Sequence, residues 1–198
     1  MTQSGARREV TGVILTGGKS RRLGQDKVLL PYRGEPLVLH VHRILGELFP
    51  RVILVGHPRP ELEALGLACI PDQVPGQGVL GGITTALDKA ATPYIFVAGA
   101  DMPFLTPSLI SGILRYRAGA DAVIPIGPRG LEPLCALYST SCTPSFRQSL
   151  LEGVRRIVEA LEGFVVLSPK IVPKEGEPDP FININRPEDL KILKNGSV

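Results

Sequence analysis

The residues with the most chemical content lie near the start of the chain. Leu15-Thr16-Gly17-Gly18-Lys19-Ser20-Arg21-Arg22-Leu23-Gly24-Gln25-Asp26-Lys27 combines three glycines with four cations. Glycines that follow a strand let backbone N–H groups turn toward a ligand with no Cβ in the way. Between Lys19 and Arg33 five cations accompany one anion, Asp26, and a local excess of four charges beside glycines suits an anionic small molecule. Two familiar phosphate loops are excluded by spacing. A P-loop needs glycine at position 13, which is Val13, and in GxGxxG the first two glycines are separated, whereas Gly17 and Gly18 are adjacent.

A second set of candidates is scattered downstream. Asp101 stands at the end of an apolar run, where a buried carboxylate is costly unless a cation accompanies it; the alternative is a turn cap. Asp72 follows another strand-like run, with an exposed turn as its alternative role. Asn183 and Asn185 alternate along an extended segment, so both face the same side. His40 and His42 lie two apart on an expected helix, point in different directions and make a poor metal pair. The serines form no nucleophile elbow. Cys69, Cys135 and Cys142 are odd in number and lack CxxC spacing, which argues against a disulfide framework or structural zinc and fits a reducing compartment.

Apolar runs at 10–15, 51–55, 67–70 and 94–98 read as buried strands, with helices from Pro36 and from about Gly81 to Lys89 between them. Thr106-Pro107 predicts a capped helix start. Further strands are expected at 122–125, 134–138 and 164–167, one or two helices between Pro144 and Leu161, a surface loop over 169–180 and a closing helix over 187–193. Strands alternating with helices predict an α/β fold: a three-layer α/β/α single domain around a mostly parallel, Rossmann-like sheet. The 198 residues suffice for one such domain. Residues 1–9 read as a flexible tail, 10–105 as a nucleotide-binding half and 106–198 as an acceptor half. A net charge of +3 is too mild for a counterion-release DNA binder, and 5% aromatics with no Trp leave no stacking platform, so no nucleic acid is expected. Neither a signal peptide nor a membrane span is visible, so the expectation is a cytoplasmic protein with no membrane contact.

The glycine segment resembles the signature of nucleotide-sugar-type nucleotidyltransferases, in the form L-x-G-G-x-S-x-R-[ML]-G-x-D-K of molybdenum cofactor guanylyltransferases. The likeness runs through almost the whole chain: Pro71-Asp72, Gly81-Gly82-Ile83, Ala100-Asp101-Met102-Pro103, Glu132-Pro133-Leu134, and Phe181-Ile182-Asn183-Ile184-Asn185 before Pro187-Glu188-Asp189-Leu190 occur in the family's order. The resemblance implies a fold of the nucleotide-diphospho-sugar transferase type. It also implies transfer of GMP from GTP to the phosphate of molybdenum-bound molybdopterin, with release of diphosphate. Such a reaction needs positioning and charge neutralisation more than covalent help.

Residue by residue, the resemblance assigns Leu15, Thr16 and Gly17 to the guanine through backbone groups, with Gly18 leading toward the phosphates. Arg22 and Lys27 fall to the triphosphate, Asp72 and Gly82 to the nucleotide, and Asp101 to Mg²⁺ shared with the phosphates. Glu132, Asn183 and Asn185 fall on the acceptor side, the two asparagines serving the pterin phosphate, the metal's water shell or the loop backbone. The chain departs from the family pattern in having Gly78-Val79-Leu80 rather than Gly-Pro-Leu, Arg186 rather than Thr before Pro, and Gly56 where Asn is an alternative. The adjacent glycines resemble guanine users, whereas Ala-Gly or Ala-Ala resembles cytosine users. A CTP-dependent cytidylyltransferase and a non-catalytic GTP-binding regulatory domain are the competing readings. A monomer is expected, in transient contact with molybdenum-insertion and molybdoenzyme maturation proteins.

Overall fold

Short β-branched and apolar runs set the strands. β1 (Val10–Leu15), β4 (Val52–Gly56), β5 (Cys69–Pro71), β6 (Tyr94–Gly99), β7 (Ala122–Val123), β10 (Cys135–Ser139) and β11 (Val166–Leu167) make one seven-stranded sheet in the order β11-β7-β10-β6-β1-β4-β5. Six strands run the same way and β10 opposes both of its neighbours. These elements come from a computed structural model that describes residues 9–17, 27–74, 76–185 and 189–191. Two hairpins lie off the sheet: β2 (Pro31–Tyr32) with β3 (Glu35–Pro36), and β8 (Ile126–Gly127) with β9 (Gly130–Leu131).

Alternation along the central strands separates two apolar faces. Val10, Ile14, Leu54, Phe96 and Ala98 point to one side, where α1 (Leu37–Gly46), α2 (Pro60–Ala64) and α4 (Pro107–Leu114) cover them. Val13, Ile53, Val55, Ile95 and Val97 point to the other, under α3 (Gly78–Lys89), α5 (Thr143–Leu151) and α6 (Ile157–Ala160). This is the expected three-layer architecture. A small third cluster joins Leu30, Tyr32 and Leu37 to Ile184. Among the described residues no helix is long and apolar enough to cross a membrane.

Several expectations shift in detail. The strand expected at 122–125 ends at Val123, and the chain re-forms after Pro125 as β8; proline cannot donate to a ladder. α3 begins three residues earlier than the expected Gly81. α2 and the β2–β3 hairpin were not foreseen. Thr106 caps α4 as expected, its hydroxyl accepting from the Leu109 N–H at 3.2 Å. Of the closing helix only residues 189–191 are described.

Gly12 sets how closely the segment that joins α1 to β4 packs on β1, because a Cβ there would lie 3.0 Å from Phe49 Cδ2 and 3.3 Å from Val52 Cγ2. Gly12→Val should overpack this face and cost about 1–3 kcal/mol. Urea unfolding should show a lower midpoint with an unchanged slope.

Candidate active site at the sheet switch point

The chain leaves β1 for β4 and β5 on one side, and α3 then carries it back to β6 on the other side of β1. Loops after β1 and β6 therefore diverge from neighbouring strand ends, which is where open α/β sheets hold ligands. Leu15 pairs with Gly99, and the Ala100 N–H donates to the Leu15 carbonyl at 3.1 Å. Asp101, 4% exposed, follows directly. Asp72 lies after β5 on the same edge, three strand spacings from β6, or roughly 14 Å. That span suits one extended nucleotide. Gly18 and Arg22, together with the side chain of Lys27, lie outside the described residues.

The first residues beyond β1 are firmly held. The Thr16 N–H donates to the Val55 carbonyl at 2.9 Å, and the Thr16 hydroxyl donates to the same oxygen at 3.3 Å. Arg59 donates to the Thr16 carbonyl at 3.2 Å. With the Leu15 carbonyl taken by Ala100, exposed Gly17 is the one of the three expected base-contacting residues whose backbone has no partner among the described residues. Gly56 explains its own departure from the family pattern. Its φ is +151°, and a Cβ would stand 2.6 Å from Thr16 Oγ1 and 2.7 Å from the Gly17 nitrogen. No asparagine fits on that backbone.

Asp72 is tied to α3. Its Oδ1 accepts from the Val74 N–H at 3.0 Å and the Thr85 hydroxyl at 3.2 Å, while Oδ2 lies toward Gly81. Gly82 is buried with Leu15 Cδ2 3.2 Å from where its Cβ would be, so its missing side chain lets α3 close onto the end of β1.

The wall beside Asp101 comes from the second half of the chain. A Cβ on Gly99 would lie 2.7 Å from Asp101 Oδ1 and 3.5 Å from Asn183 Oδ1, so the two oxygens border the space above a residue that must be glycine. The Ile184 N–H donates to the Asp101 carbonyl at 3.0 Å. Asn183 Nδ2 donates to the Phe181 carbonyl at 3.2 Å, and Oδ1 is buried with no hydrogen-bond partner among the described residues. Asn185 is exposed, and its N–H donates to Asp189. Arg129, in the β8–β9 turn, donates to the Phe181 carbonyl at 2.6 Å and pairs with Asp179 at 3.6 Å. Glu132 borders the same hairpin, its carboxyl pushed up by burial against the pull of Arg129.

The model of the MobA-like NTP transferase domain matches residues 12–164. The chain belongs to this family. A probable molybdenum cofactor guanylyltransferase of Pelotomaculum thermopropionicum is 34% identical, covering 92% of this chain and 90% of the relative. Another so described, from Pyrococcus furiosus, is 35% identical over 93% and 96%. The crystal structure of molybdopterin-guanine dinucleotide biosynthesis protein A from Archaeoglobus fulgidus superposes with a TM-score of 0.78 at 28% identity, covering 93% and 97%. The protein is thus an enzyme, a nucleotidyltransferase.

Two side chains that brace the segments around Gly17 and Asn183 had no sequence signal: Arg59 and Arg129 act on partners far along the chain. His40 and His42 do face differently, His40 being 5% exposed and His42 half-buried. The His40 ring meets Tyr32 edge-on, with centroids 4.8 Å apart, and its Nδ1 lies 3.1 Å from the Arg43 guanidinium. Burial raises all three cysteine thiols, Cys142 to about 11, which leaves none of them prepared as a nucleophile.

Burial also lowers both histidines below the ordinary value of 6.5. For His40 the Arg43 and Arg33 charges add to that effect, while Glu35 and the Pro103 backbone oppose it. The unfolded chain then binds protons that the folded chain refuses. This contribution to stability is full above pH 6.5 and is lost as pH falls below it. The melting temperature should drop between about pH 7.5 and about pH 5.5, and His40→Gln should make the decline shallower.

Proposed function

We propose that this MobA-like transferase moves GMP from GTP to the phosphate of molybdenum-bound molybdopterin, yielding the guanine dinucleotide form of the cofactor and diphosphate. The relatives' names and the shared fold support that pair of substrates. The observation that carries the reading is the convergence of the β1 exit, Asp101 and the orphaned Asn183 oxygen at one switch point. An acceptor phosphate oxygen forms the new bond to the α-phosphorus as the bond to diphosphate breaks.

Asp101 and Asn183 fit a hard divalent cation, Mg²⁺ in this reading. The Asn183 oxygen has no donor among the described residues; a buried acceptor left so costs about 1–3 kcal/mol, and a cation shared with a carboxylate removes that cost. Among the described residues no cluster of three or more His, Cys, Asp or Glu could hold a metal. A site of few protein ligands completed by phosphates and water is the usual arrangement for this ion. Bound there, it would neutralise phosphate charge.

With its nitrogen turned toward Phe181, Asn183 presents its oxygen to the space beside Asp101, which suits the metal side of the site better than the pterin phosphate. Arg22 and Lys27 would neutralise the triphosphate, Arg22 as a fork on the leaving diphosphate. Gly17 and Gly18 would present backbone groups to the base and phosphates, over a floor fixed by Leu15 and Thr16. Asp72 and Gly82 would border the nucleotide, and Glu132 and Asn185 the acceptor.

Calorimetry with Mg²⁺ should show tighter binding of GTP than of CTP; the reverse order removes the guanylyl assignment. Asp101→Asn should lower acceptor-dependent diphosphate release by at least about a hundredfold while the far-UV spectrum stays native. Near wild-type turnover in that variant would refute the site.

A further inference from the structure

We propose that Arg59 is a positioning residue for the nucleotide base: by holding the Thr16 carbonyl it turns the Gly17 N–H toward the ligand. The inference rests on the reading of the β1 exit as the base-binding side of the cleft.

One peptide unit carries the effect. In the trans Thr16–Gly17 peptide the carbonyl and the N–H point in opposite directions across a rigid plane. The Arg59 guanidinium donates to that carbonyl at 3.2 Å, which directs the Gly17 N–H away from Arg59. Thr16 is fully buried and Gly17 is exposed, so the chain passes from core to cleft within this unit. Gly17 has no backbone partner among the described residues. A charged donor on the carbonyl also polarises the peptide and makes the N–H a stronger donor.

The other bonds at Thr16 fix its position but not this plane. Its N–H and its hydroxyl both reach the Val55 carbonyl, at 2.9 and 3.3 Å, and the hydroxyl lies 3.3 Å from Cys69 Sγ. These contacts hold the nitrogen and the side chain, on the other side of the Cα–C bond from the carbonyl. Among the described residues the bond from Arg59 is the one that the Thr16 carbonyl makes. Gly56 lies beneath the same unit, where a Cβ would stand 2.7 Å from the Gly17 nitrogen and 2.9 Å from the Thr16 carbonyl carbon. The loop after β4 therefore offers bare backbone at that point, and its side-chain contribution comes three residues later.

Arg59 is itself rooted. Its backbone is extended, with φ −141° and ψ 137°, and its carbonyl accepts from the Leu62 and Glu63 N–H groups at 3.0 and 3.3 Å. Pro60 suits the first turn of α2, and Leu62, 0% exposed, anchors that helix in the core. The five residues of α2 thus fix the point from which the Arg59 side chain departs.

The test measures, by calorimetry with Mg²⁺, the binding of GTP and of tripolyphosphate, which has the phosphate chain and no base. Melting curves show whether each variant is folded. Arg59→Met keeps an apolar stem and removes the donor; it should weaken GTP about tenfold, the worth of one hydrogen bond, and leave tripolyphosphate within about twofold of wild type. Arg59→Lys restores a single donor and should return GTP to within about threefold of wild type. If Arg59→Met does not fold, Arg59→Gln, whose shorter amide falls short of Thr16, is read with the same expectation. In nitrogen-15 spectra of the wild-type protein the Gly17 amide proton should move downfield with GTP and not with tripolyphosphate.

Wild-type GTP affinity in Arg59→Met, no recovery in Arg59→Lys, or an equal loss of GTP and tripolyphosphate would each overturn the proposal, the last by making Arg59 a phosphate contact. The Gly17 resonance separates the two levels of argument. If it does not respond to GTP in the wild-type protein, the placement of the base at the β1 exit itself fails; if it responds while Arg59→Met binds GTP as wild type does, only the role of Arg59 fails.

Discussion

A single hydrogen bond, from the Ala100 N–H to the Leu15 carbonyl, continues the pairing of β1 and β6 past the strand ends. Because the two chains stay in register until that point, their loops start side by side and then separate. The crevice is therefore a product of strand order. It would be lost if β6 did not pair with β1, whatever residues its loop carried. Asp101 gains its meaning from this constraint: the same carboxylate at a sheet edge would be an ordinary turn residue.

Around that crevice the protein favours rigidity on one side and openness on the other. Thr16 spends its N–H, carbonyl and hydroxyl on Val55 and Arg59, and Gly56 lies flush beneath it. Gly17 follows this floor, exposed and with no backbone partner among the described residues. Opposite, Asn183 is aimed by its own bond to Phe181, which Arg129 also holds. The oxygens of Asp101 and Asn183 border one space, and the cations of the glycine segment follow β1 in sequence. Such opposed charge preferences suit a ligand that brings its own phosphates together with a divalent ion.

Much of this was legible in the residues. The runs through Ile14 and Phe96 could only be buried strands, α1 showed its helical spacing, and Thr106 announced the start of α4. Glycines and cations beside a strand pointed to an anionic ligand before any coordinates. What escaped had little local signal. β2 and β3 are two residues each, and α2 is five. Nothing in Cys135–Ser139 distinguishes an antiparallel strand from a parallel one, since both are buried on two faces. Arg59 reaches 43 residues back to Thr16, and Arg129 reaches 52 forward to Phe181. Pairings at such separations are properties of the topology. His40 shows the limit most clearly: helical spacing set it apart from His42, but its ring partner Tyr32 lies on another element.

The small cluster of Leu30, Tyr32, Leu37 and Ile184 also bears on how the molecule is assembled during translation. The last strand of the sheet ends at Leu167, and Ile184 is made later. Since domains form from the N-terminal end as the chain emerges, a nascent polypeptide can complete its sheet before Asn183 has been synthesised. The wall facing Asp101 is thus among the last parts of the candidate site to be put in place, and a chain interrupted between these points would have its sheet but not that wall.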